Sequence, residues 1–552
     1  MGGNTRMSVR KFGIYLCYAP SVDLRKEGLG RYLAAFLKGA AARNDVKFTL
    51  VCPSWSKQDL YDLFDSENVP HDSFSIRAPE KRPLLLDFYH WYLNRKTKRK
   101  KRKTLKSFFL ELIGRLKENT FHYVEKRLLN TYTTSDLILL GIEGGLLLLL
   151  TLMIFPLFFI VFFPLLLAFF FVHKLKSVVL GRSSKYIGRF MKMVHSPKDD
   201  GLVLRLYRNM ELMEGKRINA LIDSMHDISA WYCPTAYWPE FNKIDAPRLM
   251  CVPDVVLRDF PVAFSQIGGD RTLSTFKLLE EAIRTGDHFV TYSEVVKWNT
   301  LIDGYQISVD KVSVVHHAAN KVDSFINIGG LPDNEEATSH YAKSLLMSAI
   351  RKSNEQDYVS IFKNKNVDFI FYASQIRPNK NIISLFKAYE YLLRKRFVQH
   401  KLVVTGNVSV MPEVKEFIVS HNLQHEILFL HGLTMQELAA CYKLAGLAVN
   451  PSLSEGGCPF TFTEALSVNT PVVMARIPVT EEILTDPELQ EMTFFDPYDW
   501  RDMAKKIEWA LHNQDILLRK QLQIYDELSV RTWSDVVNEH IDILERISGL
   551  ET

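Results

Sequence analysis

Short, almost wholly apolar runs alternate along this chain with stretches whose apolar positions recur every three or four residues, and the alternation occurs twice. Continuous apolar runs of strand length suit strands covered on both faces, and the helical stretches between them supply the cover, so parallel sheets of βαβ units are predicted. The first set of strands is predicted at Phe12–Tyr18, Phe48–Cys52, Ile228–Cys233, Leu249–Val252, Phe289–Tyr292 and Val312–Val315. The second is predicted at Val367–Ala373, Leu402–Thr405, Ile427–Leu430, Leu447–Asn450 and Pro471–Met474. Between the sets, Gly329, Gly330, Pro332 and a polar stretch to about Ser339 read as a linker. The fold class is therefore α/β, with a first Rossmann-like domain over 1–325, a linker over 326–340 and a second Rossmann-like domain over 341–552.

The pattern breaks inside the first domain, where an insertion over 85–200 separates its strands. From Leu137 to Val172 the residues are nearly all Leu, Phe, Ile and Val, 36 positions against the roughly 20 that cross a bilayer as one helix. Such a run is too long for one straight crossing and too short for two with a turn. Pro156 and Pro164 lie within it, and Glu143, Gly144 and Gly145 near its start, as points where a helix kinks or ends. A re-entrant helical hairpin, which enters and leaves the membrane on one side, fits best. Basic residues flank it on both sides: Arg95, Lys96, Lys98, Arg99, Lys100, Lys101, Arg102 and Lys103 before, Lys174, Lys176, Arg182, Lys185 and Arg189 after. Positive flanks stay cytoplasmic and are drawn to anionic lipid. Strands before and after the insertion must share a sheet, and a sheet is not assembled across a bilayer. The shared sheet requires both flanks on one side of the membrane, and their positive charge makes that side the inner leaflet, with the folded domains on the cytoplasmic side.

Composition adds limits. At 552 residues the chain exceeds what a single core serves, and its formal charge of +5 is mild, so the local basic clusters matter more than the total. Beside an apolar hairpin they read as lipid-facing, and no nucleic-acid partner is expected. Six scattered cysteines include no C-x-x-C pair, which suggests neither a zinc site nor a disulfide framework. No apolar stretch precedes the first strand, so no cleavable signal peptide is expected, and Arg6 occupies the position where N-myristoylation after Gly2 needs a hydroxyl.

Three places carry candidate chemistry. After the first strand, Glu27-Gly28-Leu29-Gly30-Arg31-Tyr32-Leu33 sets two glycines before an amphipathic helix, where backbone amides and the helix N-terminus favour an anion. After the first strand of the second domain, Ser374-Gln375-Ile376-Arg377-Pro378-Asn379-Lys380-Asn381 offers Arg377 and Lys380 as phosphate-neutralising groups. The densest signal runs from Pro451 to Leu466. There Glu455 sits on a loop, Gly456, Gly457, Cys458 and Pro459 follow it, and Glu464 lies in the next helix, all at the carboxyl end of a strand, where open α/β sheets bind ligands. For glycosyl transfer, one carboxylate holds sugar hydroxyls, the other grips a ribose, and helix amides steady a departing diphosphate.

With these motifs, nearly the whole chain outside the insertion resembles the group 1 (family 4) glycosyltransferases of the GT-B fold. Phe289-Val290-Thr291-Tyr292-Ser293-Glu294, the run Val312–Asn320 and the closing segment from Trp533 support the likeness. The resemblance implies a donor site in the second domain, an acceptor site in the first, a cleft between them, retention of anomeric configuration, no metal and no cofactor beyond the nucleotide diphosphate sugar itself. It implies that Glu455 contacts the transferred sugar, that the amides of Gly456 to Pro459 line it, that Glu464 binds ribose and that Arg377 with Lys380 neutralises the diphosphate. It also implies a terminal helix that returns to the first domain. Three departures stand out. Eight residues separate Glu455 from Glu464 where the family has seven, Gln375 stands where it commonly has arginine, and Pro253 precedes Asp254 where it often has histidine. Asp254 remains the acceptor-side catalytic candidate. For His226, His316 and His317, solvent-facing or core roles are expected.

The expected activity is thus a hexosyltransferase that moves sugar to a lipid-linked or polysaccharide acceptor at the cytoplasmic membrane face, in surface polysaccharide biosynthesis. A nucleotide-sugar epimerase of the same fold and a catalytically degenerate membrane scaffold are the alternatives.

Overall fold

Strand β1 (Arg10–Tyr15) lies in the middle of a seven-stranded parallel sheet, with β2 (Val46–Val51) on one side and β4 (Ala230–Cys233) on the other. The remaining strands are β3 (Phe74–Arg77), β5 (Arg248–Cys251), β6 (His288–Thr291) and β7 (Val312–Val314), giving the order β3-β2-β1-β4-β5-β6-β7. The register Phe12↔Ala230 joins sequence from both sides of the insertion in one sheet. The computed structural model describes residues 9–84, apart from 21, 23 and 25–27, then 86, 138, 141–146, 149 and 202–550, apart from 269, 331–332, 354–357, 359–360 and 363–366.

A second parallel sheet of six strands has the order β10-β9-β8-β11-β12-β13. Its strands are β8 (Phe369–Tyr372), β9 (Lys401–Thr405), β10 (Ile427–Leu430), β11 (Leu447–Asn450), β12 (Val472–Ala475) and β13 (Phe494–Phe495). Both sheets share the doubly wound order in which the first strand is central and the chain then reverses direction across the sheet. The reversal leaves a crevice at the carboxyl ends of β1 and β4 in one sheet, and of β8 and β11 in the other. The chain is accordingly α/β with two Rossmann-like lobes. Strands β3 and β13 escaped the sequence reading. Strand β3 is an edge strand whose burial alternates residue by residue, and β13 has only two residues, so neither shows a continuous apolar run.

Inside the N-terminal lobe, Phe12, Ile14, Phe48, Leu50 and Tyr232 are fully buried or nearly so. Each such side chain contributes roughly 1.5–3 kcal/mol by leaving water. Gly13 faces Trp231 on the neighbouring strand, and a Cβ there would lie 2.2 Å from the indole, so the bare backbone is what admits the ring. Helix α1 (Gly28–Ala40) covers one face of this sheet. Against it lies the terminal helix Trp533–Ser548, which opens with a Thr532/Asp535 capping box and stops at Gly549 in the left-handed region (φ 68°). Its Val536, Val537, Ile541 and Leu544 join the N-terminal core, and Gly39 permits the approach, since a Cβ there would come 2.5 Å from Trp533 O.

The polar stretch read as a linker as far as Ser339 is helical from Asn334, the start of helix Asn334–Lys352. Asp333 accepts from Glu336 N at 2.9 Å, and Glu335 and Glu336 occupy the first turn, so the acidic residues belong to a helix start.

Residues Pro83–Met210 form a compact unit of their own. The expected hairpin over 137–172 and its basic flanks lie almost entirely outside the described residues. Among those described, 141–146 are helical, so Glu143, Gly144 and Gly145 continue a helix where the sequence suggested a break. Ile138, Ile142, Leu146 and Leu149 are 58–65% exposed and fall at helical spacing on one face. Among the described residues, no helix is long and apolar enough to cross a membrane.

Candidate functional site

Lys380 and Glu455 meet at the reversal point of the second sheet. Lys380 ends a short turn after β8, and Glu455 lies in the loop after β11, the strand beside it. Leu453 N donates to Asn379 O at 2.8 Å, which ties the two loops together. The Lys380 ammonium donates to Glu455 Oε1 at 2.7 Å, with the two side chains only 22% and 18% exposed. Burial alone would lower the lysine pKa, but the Glu455 carboxylate, Tyr372 and Asp254 overcome it, and the net shift is upward. The ammonium is thus held in its charged form.

Asp254, three residues beyond β5 of the other lobe, lies within electrostatic reach of this pair. Burial raises its pKa; the Lys380 and Arg377 charges pull it back while Glu455 adds to the rise. Arg377 is exposed and donates to the Gln375 side chain. The structure thus brings Asp254, Arg377, Lys380 and Glu455 into one electrostatic neighbourhood spanning both lobes.

The glycines after Glu455 set how closely the lobes approach. A Cβ on Gly456 would lie 2.0 Å from Pro253 O, and one on Gly457 would lie 2.8 Å from Tyr292 Cβ. Gly456 O accepts from the Ser293 hydroxyl at 3.0 Å. Cys458 is a free thiol whose pKa burial and the Glu455 charge push up to about 12, which leaves it protonated. Pro459 is buried and precedes helix Phe460–Ser467. Glu464 falls within that helix, 2% exposed.

Glu464 is not solvent-facing. Its Oε1 accepts from Arg31 Nη1 at 3.0 Å and from Asn320 Nδ2 at 2.6 Å. Arg31 comes from the N-terminal lobe, within the first turn of α1. Gly30 is buried where a Cβ would lie 2.0 Å from Leu24 O, whereas Gly28 is exposed with open space around it. Of the paired glycines, then, Gly30 is required by packing, and the residue that reaches the second lobe is Arg31.

A further interlobe contact is made by Glu482. Its two carboxylate oxygens accept from Glu294 N at 2.9 Å and Val295 N at 3.1 Å, at the start of the helical turn Val296–Ile302. Sequence reasoning did not single out Arg31, Asn320, Ser293 or Glu482. Arg31 and Asn320 lay inside quoted motifs, but nothing local to the chain signals their partners. His226 and His316 are exposed. His317 packs against Tyr292 with ring centroids 3.8 Å apart, and its Nδ1 finds no hydrogen-bond partner among the described residues. Among the described residues no three metal-ligating side chains are grouped to hold an ion.

Residues 353–527 match the family of group 1 glycosyl transferases. The O-antigen chain mannosyltransferase RfbU of Salmonella typhimurium is 26% identical over 235 residues, covering 42% of this chain and 54% of that protein. The serotype-specific mannosyltransferase WbdA of Escherichia coli is 25% identical over 240 residues, covering 42% of this chain and 27% of that protein. The matched region thus spans about half of the first relative and about a quarter of the second. Among solved structures, Anabaena HepE in complex with UDP and glucose superposes with a TM-score of 0.51 at 10% identity over 98% of this chain and all of that one. The N-terminal domain of Candida albicans trehalose-6-phosphate phosphatase gives 0.55 at 12% identity over 99% of each. These two likenesses concern the fold.

Proposed function

We propose that this chain is a retaining, metal-independent hexosyltransferase. It moves a sugar from a nucleoside diphosphate donor to a lipid-linked or polysaccharide acceptor at the cytoplasmic face of a membrane, in surface polysaccharide biosynthesis. The observation that carries the reading is the Lys380–Glu455 pair at the reversal point of the second sheet, with Asp254 of the other lobe within electrostatic reach. The match over 353–527 covers this loop, and the curated relatives are mannosyltransferases by name.

In this reading the donor diphosphate lies beside Lys380 and Arg377, whose charges stabilise the negative charge that grows as the bond to the sugar breaks. Glu455 accepts from hydroxyls of the transferred sugar, the backbone of Gly456 to Pro459, with N–H donors only as far as Cys458, lines it, and Glu464 binds the ribose. The acceptor hydroxyl attacks the anomeric carbon from the face the diphosphate leaves, its proton passing to a departing phosphate oxygen. Asp254 orients that hydroxyl by accepting its hydrogen bond, which a carboxylate of raised pKa does more strongly than an ordinary one. Position and charge carry the rate, and no covalent enzyme intermediate is invoked.

Support for a lipid-facing insertion is the apolar length of 137–172, its basic flanks, and the exposed apolar face of Ile138, Ile142, Leu146 and Leu149. Deleting Leu137 to Val172 should release protein from the membrane pellet; undiminished pelleting would exclude that role.

The activity is tested with detergent-purified protein and a thermal-shift panel of uridine, guanosine and deoxythymidine diphosphate sugars. A true donor at a hundred times its dissociation constant adds about 2.7 kcal/mol of stability. Transfer of labelled sugar from that donor into the lipid or polysaccharide fraction completes the test. If no nucleotide sugar stabilises the protein, the reading fails.

A further inference from the structure

Glu464 is one of the least exposed charged groups in the second lobe, yet two of its hydrogen-bond donors come from outside that lobe's helices and strands. Arg31 is in α1, 433 residues away in sequence, and Asn320 is in the segment that passes between the lobes. Both donate to the same oxygen, Oε1, at 3.0 Å and 2.6 Å. The segment around Asn320 is fastened to the helix that carries Glu464, since Asn320 N donates to Thr463 Oγ1 at 3.1 Å and Val322 N to Ser467 Oγ at 3.0 Å. On the buried side, the Tyr442 hydroxyl faces Glu464, its pKa raised by burial and by that carboxylate. Arg31 itself is 32% exposed, so the clasp sits at the edge of the lobe junction, open to solvent on one side.

Two donors on one oxygen fix the rotation of a carboxylate about its terminal bond. They also make that orientation depend on the lobes being together, because Arg31 moves with the first lobe and Glu464 with the second. Gly30 presses α1 against Leu24 O, where a Cβ would lie 2.0 Å away, and so fixes the start of the helix from which Arg31 reaches.

We propose that Arg31 is a positioning residue for the donor: by sharing Oε1 of Glu464 with Asn320 across the lobe junction, it makes that carboxylate's grip on the donor ribose depend on lobe closure. The proposal rests on the reading of Glu464 as the ribose ligand. A carboxylate set square to a vicinal diol accepts from both hydroxyls, while one free to rotate gives up one of the two contacts.

Selectivity for ribose over 2′-deoxyribose isolates this role, because a salt bridge that only stabilised the fold would not alter it. Wild type, Arg31→Gln, Arg31→Lys and Glu464→Gln are titrated calorimetrically with GDP and UDP, each beside its 2′-deoxy form. For the base that binds, Arg31→Gln should weaken ribose-form binding about tenfold or more and leave the deoxy form nearly unchanged. Arg31→Lys should recover part of the preference. An Arg31→Gln protein that keeps the wild-type preference, or binds the ribose form more tightly, overturns the proposal, provided Glu464→Gln has lost it. If Glu464→Gln keeps the wild-type preference, the ribose assignment itself has failed, and Arg31's role with it. Should Arg31→Gln fail to fold, Asn320→Ala removes the other donor to the same oxygen and carries the same expectation: loss of the preference supports the clasp, and an unchanged preference overturns it.

Discussion

Lys380 Nζ and Glu455 Oε1 are 2.7 Å apart although 75 residues separate them in the chain, and each is the main charged partner within hydrogen-bonding reach of the other. Both side chains are at least three-quarters buried, so removing one leaves the other's charge poorly compensated. Lys380→Ala is expected to lower the transfer rate by about a hundredfold to a thousandfold, the scale on which loss of a donor aimed at developing charge is felt. Glu455→Gln keeps the shape and loses the charge. It should weaken the transfer rate more than the affinity for nucleoside diphosphate alone, because its proposed contact is with the sugar. Steady-state transfer and calorimetry of the nucleotide separate these two outcomes.

Gly456 and Pro253 form a tight interlobe contact of backbone on backbone. Gly456→Ala places a methyl group 2.0 Å from Pro253 O, and neither atom is the end of a flexible side chain. Overpacking of this kind costs about 1–3 kcal/mol. The expected result is a well-folded protein with a lowered melting temperature and at least tenfold slower transfer. X-ray scattering should show a larger radius of gyration in the presence of donor than wild type has. Wild-type rate and dimensions together would show that the lobes do not need this contact.

Two histidines make the fold acid-sensitive. Burial lowers His540 to about 4 and His317 to about 3, against an ordinary value of 6.5. His540 is fully buried between Phe36 and Tyr232, donating from Nδ1 to Val536 O at 2.7 Å. Unfolded, both rings take a proton near pH 6.5; folded, they resist it. Between about pH 6.5 and 4, the unfolded chain therefore binds more protons, and stability falls as pH falls. His540→Gln should flatten this dependence by close to one proton in urea denaturation measured at pH 7, 6, 5 and 4.5. An unchanged slope would show that His540 is protonated in the folded protein.

Glu482 caps, from the second lobe, a helix that belongs to the first. Its carboxylate accepts from Glu294 N and Val295 N, so the negative charge meets the positive end of the helical turn. Glu482→Gln retains one acceptor oxygen and loses the charge, for an expected loss of about 0.5–2 kcal/mol that shrinks as salt is added. Denaturation at low and at high ionic strength checks both the size and the salt dependence.

What the sequence determined by itself was local. The apolar runs that become β10 and β11 were legible to the residue, because a strand covered on both faces shows as an unbroken apolar run whatever it pairs with. The loop from Glu455 to Pro459 and the turn ending at Lys380 were legible for a related reason, since glycines, prolines and charges at a strand end are features of neighbouring residues. Strands β3 and β13 were not, because an alternating edge strand and a two-residue strand lack that pattern. The linker reading failed beyond Asn334 because acidic residues at a helix start look like polar loop until Asp333 is seen to cap them. Only the tertiary structure decided that Glu464 is held by Arg31 and Asn320, that Glu482 caps a helix of the other lobe, and that Gly456 is small because Pro253 O lies against it. These contacts join residues between about 140 and 430 positions apart. No periodicity in the sequence spans such distances, because which surfaces meet is fixed by the packing of two finished sheets and not by the order of side chains within either one.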